Sequence, residues 1–115
     1  MDELIAKIVA DSGVTPEVAR KAAVIILRFL HKEGPADKVD ALVAAIPGAR
    51  EAIGGNGAGG SSGLMGAFND LTSAGVGMFS VQSVVGSFAD YARGKFGAET
   101  VDDIVASIPG LSQFA

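Results

Sequence analysis

Apolar side chains recur along the chain at helical spacing. Leu4, Ile5, Ile8 and Val9 form a first stripe, with Asp2 and Glu3 at its start, where a helix favours acidic groups. Gly13 ends it and offers the backbone freedom of a left-handed cap. Thr15, Pro16 and Glu17 then read as a second helix start, a hydroxyl cap followed by proline at the first helical position. Its inward face is Ala19, Ala22, Ala23, Ile26, Phe29 and Leu30, and Gly34-Pro35 stops it. A third stripe, Val39, Leu42, Val43 and Ile46, ends at Pro47, because the residue before a proline avoids the helical region.

The second half of the chain repeats this rhythm with different residues. Leu64, Met65, Phe68 and Leu71 make one stripe, broken by Gly75 and Gly77. Val81, Val84, Val85, Phe88, Tyr91 and Ala92 make the next, with Ser80 as the expected N-cap. Val101, Ile104, Val105 and Ile108 make the last. No stretch alternates with period two over a useful length, so strands are not expected and the fold class is all-α.

The two halves are also alike in sequence. Val39-Asp40-Ala41-Leu42-Val43-Ala44-Ala45-Ile46-Pro47-Gly48 recurs as Val101-Asp102-Asp103-Ile104-Val105-Ala106-Ser107-Ile108-Pro109-Gly110, with an offset of 62 and seven of the ten positions identical. At the same offset Gly13-Val14 falls on Gly75-Val76, and Ala36 on Ala98. The expected organisation is therefore a duplication. A three-helix unit over residues 1–53 is joined by a Gly/Ser-rich linker at 54–63 to a related unit over 64–115, and the two pack as one helical bundle. Six of the ten linker residues are glycine. A flexible tether of that length spans roughly 15–20 Å, enough for the units to pack within one chain or to be exchanged between chains. A phosphate-cradling role is rejected for this stretch, since neither a Gly-Lys-Ser/Thr sequence nor a flanking strand accompanies its glycines.

Composition narrows the chemistry. Of 115 residues, 49% are hydrophobic and 19% charged, which excludes a disordered chain. There is no cysteine and a single histidine, His31, so a thiol nucleophile and a histidine-based metal centre within one chain are both excluded. His31 stands near the end of the second helix, where it complements the helix dipole. Asp102-Asp103 occupies the first turn of the last helix, and adjacent residues point about 100° apart, so the pair is not a shared acid–base site. No catalytic, metal-binding or cofactor-binding residue is expected, and no cofactor. The net charge of −4 has the wrong sign for nucleic acid. Lys21, Arg28 and Lys32 share a face of the second helix and read as its wet side. The acidic N-terminus does not match a secretory signal, and the polar content of residues 53–89 argues against a membrane span; a cytoplasmic protein is expected.

Charge is unevenly spread. Residues 1–53 carry 15 charged side chains (8 acidic, 7 basic) and residues 54–115 only 7 (5 acidic, 2 basic). Too little charge remains in the second unit to keep several amphipathic helices wet, so part of it is expected to be covered by the first unit, a second chain or an apolar ligand. Met65 and Met78 suit an adaptable apolar surface.

The Gly13-Val14-Thr15-Pro16-Glu17 helix start, the repeated Val-Asp-x-Leu/Ile-Val-Ala-x-Ile-Pro-Gly segment and the glycine-rich spacer together resemble the VcgC/VcgE-type bacterial domain of unknown function. The resemblance covers about Leu4 to Phe114. It implies paired helical units around an Ile-Pro-Gly turn and brings no activity, cofactor or catalytic residue. The second unit has Phe79-Ser80-Val81-Gln82 where the family has a Ser-Pro-Glu helix start.

The function expected from these features is a non-enzymatic bacterial interaction module, self-associating as a homo-oligomer or meeting a protein partner through apolar helix faces. The alternative is a carrier holding an apolar small molecule or lipid tail between helices. Leu64, Met65, Phe68, Val81, Val84, Phe88 and Tyr91 are the candidate interface or ligand-lining residues, each with a role in the core of the single chain as its competing assignment.

Overall fold

A computed structural model of the chain describes residues 2–33, 36–46, 48 and 63–107; within these, the side chains at 32, 33, 36, 63–65 and 78 lie outside the description. Among the described residues there are six helices and no strand: α1 (Asp2–Ser12), α2 (Pro16–Glu33), α3 (Ala36–Ala45), α4 (Gly63–Ser73), α5 (Met78–Phe96) and α6 (Ala98–Ser107). The all-α reading therefore holds for the described chain. Gly34-Pro35, Pro47, Ile108 and residues 54–62 of the expected linker lie outside the described residues; α4 begins at Gly63.

The first boundaries follow the local signals in the sequence. The Val18 amide donates to Thr15 Oγ1 at 3.3 Å, and the Ala19 amide to the Thr15 carbonyl at 2.8 Å, the two bonds of a side-chain N-cap. Gly13 closes α1 at φ +76°, its amide donating to the Val9 carbonyl. At α5 the expectation is corrected: Ser80 is not the cap. Gly77 is, in extended conformation and without a side-chain bond, and Ser80 sits in the first turn with its amide on the Gly77 carbonyl at 2.9 Å. A glycine cap exposes its own orphan amides to water, so the helix starts two residues ahead of the serine.

Packing joins the first half of the chain to the second rather than leaving them side by side. Helix α1 lies along α5 and α2 against α4, in addition to the sequential contacts of α1 with α2, α2 with α3 and α5 with α6. Two polar contacts fix the direction of the first pairing. Lys95 Nζ meets Glu3 Oε2 at 3.3 Å near one end, and Ser87 Oγ donates to Asp11 Oδ2 at 2.8 Å near the other. Eight residues on each helix separate these contacts, in opposite directions, so α1 and α5 run antiparallel in register. Leu4 and Ile8 on the face between them are fully buried. Ion pairs add further ties: Lys38–Asp103 at 2.6 Å links α3 to α6, and Arg93–Asp102 at 3.3 Å links the consecutive helices α5 and α6.

One continuous core results. It takes in the stripes read from the sequence: Ala19, Ala22 and Ile26 of α2; Val39, Leu42 and Val43 of α3; and Val101 and Ile104 of α6. Leu27, which lies outside the expected stripe of α2, is also fully buried. Helix α2 touches α1, α3 and α4, so it buries a wider arc than a surface helix with one partner. Among the described residues no helix is long and apolar enough to cross a membrane.

Candidate functional site

The helices do not close completely on one another. Between them lies a cavity of about 60 Å³, partly open to the surface. Helix α2 contributes Ile26, Phe29 and Leu30 to its wall, and α3 contributes Leu42. Helix α4 adds Phe68 and Leu71, and α6 adds Val101, Ile104 and Val105. The remaining wall is α5, with Val81, Val85 and Phe88 and the two small residues Ala89 and Ala92. Every one of these side chains is apolar. Most are buried, while Phe68, Val85 and Val105 are half-buried and mark the mouth.

Ala89 and Ala92 present little side-chain volume to this wall. At the sequence offset of 62, Ala89 and Ala92 stand where the first half has Leu27 and Leu30. Leu30 and the two alanines meet in the same wall, whereas Leu27 does not line it.

Three of the seven candidate residues, Phe68, Val81 and Phe88, come together in this wall. Val84 is fully buried in the core, and Tyr91 is half-buried, with Lys95 Nζ 5.6 Å from its ring centroid. The side chains of Leu64 and Met65 lie outside the described residues. The residue that sequence reasoning missed is Phe79, at the start of α5, which is 97% exposed. Its signal was available: Phe79 falls outside the Val81, Val84, Phe88 stripe and about half a turn away from it.

The polar groups stand apart from the cavity. His31 Nε2 is 3.4 Å from Asp40 Oδ1, tying the end of α2 to α3, but both side chains are exposed. Of the cationic face expected on α2, Lys21 is exposed, whereas Arg28 is half-buried and its Nε is buried without a hydrogen-bond partner; the Lys32 side chain lies outside the described residues. Among the described residues, no group of three or more His, Cys, Asp or Glu side chains is placed to hold a metal ion.

Among the described residues, Ser87 is a buried polar residue, 2% exposed, whose hydroxyl bonds Asp11 across the α1–α5 seam. Asp11 also pairs with Lys7 at 3.2 Å. The Ser87 hydrogen bond, followed by that of Lys7, holds the Asp11 carboxyl below the usual carboxylate value. A depressed pKa makes Asp11 a weak base, which suits a clasp between helices better than proton abstraction. It also sets a sign for pH dependence. The stabilising contribution is complete above the unfolded value of about 3.9 and is lost as pH falls through the lower folded value. Urea unfolding of wild type and Asp11→Asn should therefore show a stability gap at neutral pH that narrows as the pH is taken from about 5 to about 2. A gap independent of pH would mean that the ionised carboxylate contributes nothing.

Comparison of the chain with family models, with curated proteins and with solved structures finds no match. Any functional reading therefore rests on the geometry of the site.

Proposed function

We propose that this protein is a non-enzymatic helical interaction module whose recognition site is the apolar cavity, and that the group it receives is an apolar side chain from a protein partner, a second copy of the chain foremost. The cavity carries the reading, through its lining and its size. A wall with no hydrogen-bonding side chain rewards burial of hydrocarbon and penalises any polar group left unpaired. Its volume then selects among apolar guests. A dry cavity of about 150 Å³ holds a benzene molecule, and sites for drug-sized ligands run to roughly 300–1,000 Å³. At about 60 Å³ this one takes the tip of a side chain rather than a whole ligand.

The carrier reading keeps one observation in its favour, the complete absence of polar lining. It would have to hold the end of a chain whose remainder stays outside. Native mass spectrometry of the chain separates the two. A mass of two or more chains that collapses to 11.5 kDa on denaturation is the expected result. A monomer carrying extra mass that is lost on denaturation would make it a carrier instead.

The internal duplication belongs to the same proposal. An offset of 62 carries Pro16, the start of α2, onto Met78, the start of α5. It likewise carries α3, Ala36–Ala45, onto α6, Ala98–Ser107. The same exchange turns the α1–α5 contact into the α4–α2 contact, and both are present. The reciprocal contacts are what two copies of one helical unit would make on meeting through their apolar faces.

A further inference from the structure

A glycine inside a helix costs stability relative to alanine, and the cost is offset where another group approaches the backbone closely. Gly86 stands in the middle of α5, and a Cβ built on it would meet nothing within 4 Å; the same holds for Gly94 further along the helix. Both lie on the face of α5 that carries Phe79, which is 97% exposed. With 3.6 residues per turn, Phe79, Gly86 and Asp90 fall within about 40° of one another around the axis, flanked by Gln82, Ser83 and Gly94. Gln82, Ser83, Asp90 and Gly94 are exposed. Phe88, in the cavity wall, points about 180° away from Phe79, so this face and the cavity are on opposite sides of the helix. We infer that this face of α5 docks on the same face of a second copy, the two helices antiparallel and each Phe79 seated over the Gly86 of the other. The contact goes beyond the cavity reading and uses none of the cavity wall.

A second copy is the occupant because the face carries both halves of the contact. Phe79 and Gly86 are seven residues apart, about 10 Å along the axis. A two-fold axis passing between Gln82 and Ser83 brings each phenylalanine onto the other copy's glycine at once. The same operation sets Asp90 beside the start of the other copy's α5. That start is capped by Gly77 with no side-chain bond and has no acidic residue in its first turn. Its orphan amides and positive dipole end therefore lack a carboxylate, which Asp90 supplies. Asp90 is exposed, with Arg93 of its own chain 3.6 Å away. The two copies of Asp90 stand roughly 20 Å apart along the axis, beyond the reach of screened repulsion. Charge also favours α5 over its counterpart. At the offset of 62, α2 has Glu17, Arg20, Lys21 and Arg28 where α5 has Phe79, Gln82, Ser83 and Asp90. Covering the row on α5 desolvates one of these charges per copy rather than four.

The contact is isologous, so it closes at two chains. It is also small. Each Phe79 buries roughly 150–250 Å², against about 800 Å² per partner in a stable interface. The dimer is therefore weak and forms as the concentration rises.

Sedimentation velocity of the chain at concentrations up to about 1 mM, the weak end of the affinity scale, tests this. Wild type should pass reversibly from one chain to two. Phe79→Ser removes the knob and Gly86→Leu fills the notch, and each should raise the dimer dissociation constant at least about tenfold. Gly86→Leu should also unfold at higher urea than wild type, because leucine is the better helix former and has room there. Its loss of association is then not a loss of fold. The sequence has no cysteine, so single cysteines report the register. Ser83→Cys, beside the two-fold axis, should be joined to its counterpart by a short bifunctional thiol reagent, and Gly94→Cys, roughly 35 Å from its own, should not. Ala92→Val, which narrows the cavity, should keep the dimer and remove any larger species formed through the cavity. If it changes nothing, the cavity reading of self-association falls and this inference stands; if it abolishes the dimer, the cavity is the contact and this inference falls. Unchanged association of Phe79→Ser or Gly86→Leu overturns this inference alone, as does cross-linking at Gly94→Cys in place of Ser83→Cys. A wild type that stays at a single chain's mass overturns both.

Discussion

Phe88→Ala should destabilise the protein by about 3–5 kcal/mol, read as the loss of unfolding free energy in urea. Phe88 is 4% exposed and stands where the core meets the cavity. Its removal loses the transfer energy of the ring and leaves a void continuous with one already present. The void cannot collapse easily, since α5 is held at its flanks by the Ser87–Asp11 and Lys95–Glu3 contacts. Against a typical total stability of about 5–15 kcal/mol, such a loss brings the chain close to unfolding at body temperature. The enlarged, dry cavity should also admit benzene, as comparable engineered cavities do. A thermal midpoint raised by benzene in Phe88→Ala and unchanged in wild type is the expected pattern. A loss below about 1 kcal/mol would mean that neighbouring helices do move in, and that the cavity wall is softer than its packing implies.

Gly75→Ala is expected to have the second largest effect, a loss of roughly 2–3 kcal/mol. Gly75 turns the chain between α4 and α5 at φ +110°, a conformation that L side chains rarely adopt. An added Cβ would in addition stand 3.2 Å from Val18 Cγ2 on α2. Gly13 gives the internal control: it also has positive φ, at +76°, but a Cβ there meets nothing within 4 Å. Gly13→Ala should thus show backbone strain alone, about 1–2 kcal/mol. The excess at Gly75 is steric, and Val18→Ala in the same chain should remove it. Equal losses at the two glycines, measured by urea unfolding, would show that Val18 yields without resistance.

Much of the fold was legible because it is written locally. Thr15-Pro16-Glu17 is a helix start by the chemistry of its own atoms, and the stripes of α2, α3 and α6 announce their buried faces by period. Ser80 misled for the complementary reason: a good capping side chain was present, but Gly77 let the helix begin earlier. Leu27 stands at the edge of the α2 stripe, four residues after Ala23 and three before Leu30, and the contacts of α2 with several helices widen the buried arc to include it. The cavity was half legible. Ala89 and Ala92 bring little side-chain volume to its wall, but whether helices close over such residues is decided by all of their contacts at once. Phe79 needed only the helical wheel, yet an aromatic beside Met78 and Val81 is easily absorbed into an apolar run.

The reciprocal grip of the two halves has a consequence for the order in which the protein is made. Asp11 and Ser87 are 76 residues apart, and Glu3 finds Lys95 still later in the chain. At synthesis rates of about 5–20 residues per second, roughly 4–15 s pass between the emergence of one side of that seam and the other. Throughout that interval α1 is a short amphipathic segment whose Leu4 and Ile8 have no α5 to cover them. An isolated helix of this length is marginal in water. Helix α1 thus reaches its final packing only after α5 has been made, although α2, which it also touches, follows it directly in the chain.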